Sequence, residues 1–158
     1  MYDGTVNTGI YGGSNVKGTV YGGTKVNVYG GNAHDVYGGG EGANTYVRDN
    51  VAVVIGDEEA GEPVITGNVY GGSAFGTVNA TSKNAAANNK TTTVTVNNGN
   101  ITGTTIDGVT TGGSVFGGAK GDANNIPYVK GKITVTINDG TISFISLVSN
   151  RSYPSIIS

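Results

Sequence analysis

The sequence predicts an all-β fold, a β-solenoid (parallel β-helix) with short strands and Gly-Gly corners. Three observations predict it: a recurring aliphatic-aromatic-Gly-Gly tetrapeptide, a second repeat at an offset of 41 residues, and β-branched alternation in the longest strand candidates. Short strands that stack in register about 4.8 Å apart give equivalent positions the same neighbours, so identical side chains recur. An antiparallel β-sandwich is the alternative, but it offers no reason for the same four residues to return.

The tetrapeptide occurs six times, for example as Val20-Tyr21-Gly22-Gly23. Neighbouring side chains of a strand point to opposite faces, so its aliphatic residue is expected inside, together with the aliphatic residues four positions earlier at Val6, Val16 and Ile65. The aromatic ring is expected to point outward or to lie against the corner. The paired glycines are expected to form the corner, because they accept positive φ and their lack of a Cβ permits close packing.

The second repeat aligns Val94–Ile101 with Val135–Ile142, and Val53–Ile55 lies another 41 residues earlier. The strand candidates TTTVTV and KITVTI alternate polar and apolar residues with a period of two. Val94 and Val96 are therefore expected on the face opposite Thr93 and Thr95. These repeats predict one β-solenoid domain over residues 1–142, with residues 143–158 as a C-terminal cap or frayed tail.

Two kinds of connection follow from the same repeats. Asn98-Gly99 and Asp139-Gly140 predict turns, because these dipeptides accept positive φ at low cost. The polar segment Asn79–Lys90 predicts an exposed loop, with a short helical turn as the lesser alternative.

Composition limits the classes of partner and site. The 158 residues carry 29 glycines, 13% charged residues and a net charge of −2, with Arg48 and Arg151 as the arginines, so a nucleic-acid partner is not expected. Cysteine is absent, which excludes disulfides and thiolate metal sites. The longest aliphatic run, Val51–Ile55, is far too short for membrane insertion. The first ten residues lack the basic start and apolar segment of a signal peptide, so an exported native protein would contain this chain as a mature form or as a piece.

Several segments resemble a known repeat class. The stretches GNVYGGS, VYGGGEGA and VTINDGTI are similar to the glycine-rich VYGGG-type repeat regions of adhesin-like cell-surface proteins of gut bacteria, of Bacteroidales and Firmicutes type. The resemblance covers most of residues 5–142. It implies a secreted or cell-surface location and a non-catalytic, structural or adhesive role.

Exposed aromatic residues are the candidate ligand-binding residues, because rings form large, rigid contacts at low entropy cost. The alternative is that the rings stack on one another and shield the glycine corners. The six candidates are Tyr11, Tyr21, Tyr29, Tyr37, Tyr70 and Phe116.

Three other kinds of site are weighed against ordinary surface roles. Threonine arrays on a flat sheet can match ice, but here they suit solvent-facing strands; they are Thr91, Thr92, Thr93, Thr95, Thr134 and Thr136. The acidic loop with Asp57, Glu58, Glu59 and Glu62 offers oxygens for calcium, but it is interpreted as a solvated loop without a metal. His34 beside Asp35 lacks the context of a catalytic triad, so we expect no enzyme activity and no cofactor.

The sequence thus favours an adhesin-like surface module that binds glycans or host or neighbour-cell proteins. A self-assembling fibre subunit, associating end to end, is the first alternative, because identical stacked side chains and low charge favour strand addition. A carbohydrate-active β-helix enzyme is the second, and it requires a charged cleft with paired carboxylates.

Overall fold

The structure, a computed structural model, describes residues 1–57 and 61–146. It is all-β: the described residues form strands connected by turns and loops, without a helix. The described residues therefore include no helix with the length and apolar character needed to cross a membrane. The strands are β1 (Thr5–Tyr11), β2 (Asn15–Val20), β3 (Thr24–Val28), β4 (Asn32–Tyr37), β5 (Glu41–Val47), β6 (Val51–Ile55), β7 (Val64–Ile65), β8 (Val69–Tyr70), β9 (Thr77–Val78), β10 (Thr91–Val96), β11 (Asn100–Ile101), β12 (Thr104–Ile106), β13 (Val109–Thr111), β14 (Ser114–Phe116), β15 (Tyr128–Val129), β16 (Lys132–Ile137), β17 (Thr141–Ile142) and β18 (Phe144–Ser146).

Most strand pairs are parallel, and they form three larger sheets. Sheet 1 has the order β17-β11-β7-β4-β8-β14-β18, with β1 paired to β4. Sheet 2 has the order β15-β9-β5-β2, and sheet 3 has the order β16-β10-β6-β3. The antiparallel pair β12–β13 stands apart as a hairpin. The all-β prediction is confirmed, and the parallel pairing disagrees with the antiparallel sandwich.

The chain passes through the three larger sheets repeatedly in the same order. We call each passage a level: level 1 contains β1–β3, level 2 contains β4–β6, level 3 contains β7–β10, level 4 contains β11–β16, and level 5 contains β17 and β18. Parallel pairing continues through β18, whereas residues 147–158, most of the expected cap or tail, lie outside the described residues.

The repeat at an offset of 41 marks equivalent positions of adjacent levels. In sheet 3, Val94 pairs in register with Val53 on one side and with Val135 on the other. Val94 and Val96 are buried, while Thr93 and Thr95 are partly exposed on the opposite face. The predicted strand orientation is confirmed for β10.

The core is a column of small aliphatic side chains contributed by every level. Each fully buried valine or isoleucine stabilises the fold by about 1.5–3 kcal/mol through loss of apolar surface from water. Ile65 and Val6 join the column as expected, but Val16 does not. Val16 is 70% exposed, because its φ of 66° takes β2 out of regular strand alternation at that point.

The six tetrapeptides do not form one row. Ile10 pairs with Val36, and Val36 with Val69, and Val69 with Val115, so four of them share a row of sheet 1. The tetrapeptide at Val20 ends a strand of sheet 2, and the one at Val28 ends a strand of sheet 3. The tetrapeptide is therefore a strand-to-corner element that level 1 uses in all three sheets.

The tetrapeptide glycines serve close packing rather than positive φ. Among these glycines Gly31 alone has positive φ, so the expectation of positive φ is wrong for the rest. A Cβ on Gly12 would collide with the carbonyl oxygen of Gly38, and a Cβ on Gly38 with that of Gly71. The backbone ladder continues through this corner, since the N–H of Gly38 donates to the carbonyl of Tyr70 at 3.0 Å.

The predicted turns and loop are also visible. Gly99 and Gly140 have φ of 113° and 115°, as their dipeptides predict. Residues 79–90 form a mostly exposed loop without a helix, which confirms the loop interpretation. Its first two residues, Asn79 and Ala80, are the exceptions, because both are buried.

Candidate functional site

Four of the six candidate aromatic residues form a continuous stack. The ring centroids of Tyr11 and Tyr37, of Tyr37 and Tyr70, and of Tyr70 and Phe116 are each 4.9 Å apart. The planes of these pairs differ by 2°, 3° and 9°. The spacing is that of adjacent strands, so the stack follows from the parallel register. Each ring pair adds about 0.5–1.5 kcal/mol to stability beyond its buried area.

The stack lies against the corner between sheets 1 and 2. Tyr37 is 1% exposed and Tyr70 8%, while the end rings are partly exposed. Ala74 and Phe75, from the corner segment of level 3, pack against the rings. The expectation of outward rings is therefore wrong for Tyr37 and Tyr70, and the alternative position against the corner is the one observed. Their ring faces are covered by protein in this conformation.

A buried carboxylate anchors the polar side of the stack. The hydroxyl of Tyr37 donates to Asp35 Oδ2 at 2.8 Å, and the N–H of Asn68 donates to Asp35 Oδ1 at 2.7 Å. Lys120 Nζ lies 3.4 Å from Asp35 Oδ2. The N–H of Ser114 in turn donates to Asn68 Oδ1 at 3.1 Å, so side-chain oxygens replace backbone acceptors where the ladder of sheet 1 is interrupted. Asp35 therefore stabilises the fold at this corner.

The same surroundings keep the phenols neutral. Burial, the hydrogen bond to Asp35 and its charge hold the pKa of Tyr37 far above its ordinary value of 10. Burial, with the charge of Asp35 second, raises the pKa of Tyr70 to about 12. Both directions follow first from the cost of burying a charged phenolate and then from placing it near the carboxylate of Asp35.

The two remaining candidates lie at other corners. Tyr21 is 74% exposed and follows β2, and the guanidinium carbon of Arg48 lies 5.1 Å from its ring centroid. Tyr29 is partly buried and packs edge-on against Tyr2, with ring centroids 5.2 Å apart. The structure thus brings four candidates together and leaves Tyr21 as the one that is largely open to solvent.

The outer face of sheet 2 carries two further tyrosines. Tyr46 pairs with Thr77, and Thr77 pairs with Tyr128, so both rings occur in one row and are two levels apart. Lys130 Nζ lies 4.4 Å from the ring centroid of Tyr128. Cations over tyrosine rings are attracted by the ring quadrupole and fix the ring orientation.

This face is not part of the sequence prediction, because the tetrapeptide has an aliphatic residue before its aromatic residue. Here the order is reversed: Tyr46-Val47-Arg48 and Tyr128-Val129-Lys130 share the pattern tyrosine, valine, cation. The valines are buried in the core while the tyrosine and the cation, two positions apart, share the outer face. The recurrence of this tripeptide is the signal by which the face could have been found.

Charge is segregated between two corners. The connections between sheets 2 and 3, at residues 21–23, 48–50, 79–90 and 130–131, together with Lys132 at the start of β16, are here called the basic corner. They contain five of the chain's nine lysines and arginines and one acid, Asp49, which pairs with Lys90 at 3.0 Å. The five cations are Arg48, Lys83, Lys90, Lys130 and Lys132.

The connections between sheets 3 and 1 have the opposite charge. Their described residues include Asp57, Glu62 and Asp139 and contain no lysine or arginine. Glu58 and Glu59 of the candidate calcium loop lie outside the described residues. Within the described ranges no three histidine, aspartate or glutamate side chains come close enough together to hold a metal ion.

The threonine arrays and His34 have local roles. Thr93 pairs with Thr134 and Thr95 with Thr136, which gives a small outward grid on sheet 3. Thr92 faces inward instead, fully buried, and its hydroxyl donates to Asn79 Oδ1 at 2.7 Å. His34 is exposed, with its Nδ1 3.3 Å from the hydroxyl oxygen of Thr66.

Comparison of the chain with protein-family models, with curated proteins and with solved structures found no match.

Proposed function

We propose that the chain forms a β-solenoid that acts as a non-catalytic, adhesin-like module at the cell surface or outside the cell. The repeated passage through three parallel sheets in one order supports the solenoid. Register pairs such as Val53, Val94 and Val135 support it further, because they place like residues on like residues across levels.

The proposed ligands are glycans or proteins, bound through exposed aromatic residues and loops. The observation that carries this is the group of Tyr21, Tyr46 and Tyr128 at the outer side of sheet 2, with Arg48 and Lys130 against two of the rings. Tyrosines supply flat apolar contacts to sugar rings and side chains while losing little conformational entropy. Parallel strands hold these rings on a rigid surface, which reduces the cost of binding.

A non-catalytic role is supported by the chemistry of this surface. Hydrolysis of a glycosidic bond uses two carboxyl groups at a defined separation. The acid in the basic corner, Asp49, is ion-paired to Lys90. The hydrogen bond from Lys90, with that from the N–H of Asn50 next, lowers the pKa of Asp49, which favours the ionised form over a proton donor.

A glycan array probed with Tyr21→Ala and with Tyr2→Ala tests the proposal. The two tyrosines are matched in exposure, at 74% and 73%, but Tyr2 lies at another corner, against Tyr29. Binding that falls with Tyr21→Ala and persists with Tyr2→Ala supports the surface. Equal binding by both variants and by Tyr128→Ala, all folded, would exclude it.

A fibre subunit is the second candidate, favoured by the strands of level 1. In the described structure β1, β2 and β3 are each paired on one side, and β2 is exposed along most of its length. Unpaired strand edges accept further strands. Light scattering across a concentration series distinguishes the candidates: growth of long particles favours the fibre, and a constant monomer mass excludes it.

A further inference from the structure

The tyrosine-valine-cation tripeptide recurs at alternate levels. Val47 pairs with Val78, and Val78 with Val129, so the tripeptides of levels 2 and 4 are in register with one level between them. At this intervening level the equivalent residues are Thr77, Val78 and Asn79, which carry neither a ring nor a charge and are fully buried, so the tyrosines on either side are the residues that a ligand can contact. Two levels correspond to about 9.6 Å, twice a strand spacing of about 4.8 Å. Ring and cation thus recur together with this period along the stack.

The cations of these tripeptides are not neutralised within the described residues. Arg48 and Lys130 contact tyrosine rings, whereas the ion pairs of the structure involve Lys90 and Lys120. The adjoining loop adds Lys83, and β16 begins with the exposed Lys132. A local excess of positive charge on a chain of net charge −2 attracts an anionic partner to this corner.

From this arrangement we propose that the basic corner and the outer face of sheet 2 bind an acidic polysaccharide with one anionic group per disaccharide. The inference rests on the proposed function and specifies its ligand class. The polysaccharide lies along the stacking direction. Alternate sugar rings contact Tyr46 and Tyr128, and their carboxylate or sulfate groups pair with Arg48 and Lys130. An extended disaccharide is of the length that separates the two tripeptides.

A nucleic acid is the competing polyanion, and the surface fits it less well. Nucleic-acid backbones carry one charge per nucleotide, and their binding proteins contact several successive phosphates with lysine and arginine. Here the two cations beside tyrosine rings, Arg48 and Lys130, lie two levels apart, and Lys90 is already paired with Asp49. Arg48 is the arginine of this surface, so the planar guanidinium that binds phosphates bidentately occurs here once.

Binding to four polymers at one ionic strength tests the inference. The probes are hyaluronate, with one carboxylate per disaccharide; polygalacturonate, with one on every ring; neutral dextran; and a single-stranded oligonucleotide. We expect hyaluronate to bind most tightly and to be weakened by added salt. Arg48→Gln and Lys130→Gln together are expected to weaken it about tenfold, because two charge contacts at the surface are lost.

Lys25→Gln is the control, since Lys25 is an exposed cation of β3 in sheet 3, outside both the basic corner and the outer face of sheet 2. It should leave hyaluronate binding unchanged, and all variants should keep the wild-type melting temperature. Dextran binding as tight as hyaluronate binding would overturn the inference while leaving the proposed function intact. Tighter binding of the oligonucleotide than of hyaluronate would overturn the assignment of ligand class. Tighter binding of polygalacturonate than of hyaluronate would overturn the assignment of charge spacing. Failure of every polysaccharide to bind would instead refute glycan binding itself.

Discussion

Replacing Gly38 with alanine tests why the corners contain glycine. Gly38 lies between Tyr37 and Gly39 and does not have positive φ, so alanine is compatible with its backbone conformation. Its new Cβ would collide with the carbonyl oxygen of Gly71 and with a methyl group of Val51. The carbonyl belongs to the neighbouring level and is held in the hydrogen-bonded corner, so it cannot move without disturbing that level.

The cost is that of overpacking, about 1–3 kcal/mol in a well-packed interior. The colliding atom is a backbone carbonyl oxygen, which cannot rotate away as a side chain can, so we expect the cost of Gly38→Ala at the upper end of this range. For a chain of this size each kcal/mol lowers the melting temperature by about 2–4 °C. We therefore expect Gly38→Ala to melt about 5–10 °C below the wild type.

Gly22→Ala is the matched control. Gly22 is the equivalent glycine of another tetrapeptide and also lacks positive φ, but a Cβ there meets no atom within 4 Å. This substitution should be neutral or stabilise the protein by about 0.4–1 kcal/mol, because alanine reduces the entropy of the unfolded chain. Thermal unfolding followed by circular dichroism measures both. Equal melting temperatures for the two variants would refute close packing as the reason for these glycines.

Three further changes address the stack, the loop and the core. Folding raises the pKa of Tyr70 from 10 to about 12, so the folded protein holds this proton more tightly than the unfolded chain does. The free energy of unfolding should therefore fall by about 2–3 kcal/mol as the pH rises from 10 towards 12. Urea unfolding at both pH values should show this loss in the wild type and a smaller loss in Tyr70→Phe, and identical losses would contradict the assignment. Asn79 has φ of 60°, donates to the carbonyls of Asp49 and Thr91 at 3.0 Å and accepts from Thr92. Asn79→Ala should therefore cost about 3 kcal/mol or more in calorimetry, with Asn79→Gly recovering only about 1 kcal/mol of backbone strain; a neutral Asn79→Ala would show that these bonds contribute little. Val94→Ala, at a position 1% exposed, should cost about 2–3 kcal/mol by denaturant unfolding, and a cost below that of an exposed Thr95→Ala would argue against a shared core.

The parallel register could be predicted where the repeat is nearly exact. Val94 and Val135 lie in similar octapeptides, and the offset of 41 between them is the offset of their pairing. Alternation in β10 then assigns the buried face, because a strand has a period of two. These inferences need local sequence alone.

The position of the tetrapeptides could not be predicted in the same way. A strand that ends in an aromatic residue and two glycines has the same local chemistry in sheet 1, 2 or 3. Levels also differ in length, since Val36 and Val69 are 33 positions apart and Val69 and Val115 are 46 apart. The number of residues between two tetrapeptides therefore does not show whether they lie in neighbouring sheets of one level or in the same sheet of adjacent levels.

Burial of the tyrosine stack depends on a distant segment. Tyr37 is covered because Tyr11 and Tyr70 of the neighbouring levels stack on its ring, and because Ala74 and Phe75, more than thirty residues later, pack in the same cluster. Nothing in the tetrapeptide itself distinguishes Tyr37 from the exposed Tyr21. The candidate site on sheet 2 was predictable in principle, because its tripeptide repeats, but its cations lie over rings only through the three-dimensional register.

The β12–β13 hairpin has a practical consequence for engineering. Ile65 and Val69 are four positions apart in level 3, whereas their partners Ile101 and Val115 are fourteen apart in level 4. The extra residues leave the body as a hairpin whose tip exposes Ile106 and Val109, and the strands on both sides keep their register. Since the entropy of closing a loop rises only slowly with its length, this position suits the grafting of foreign epitopes, with the stacked levels as a rigid carrier.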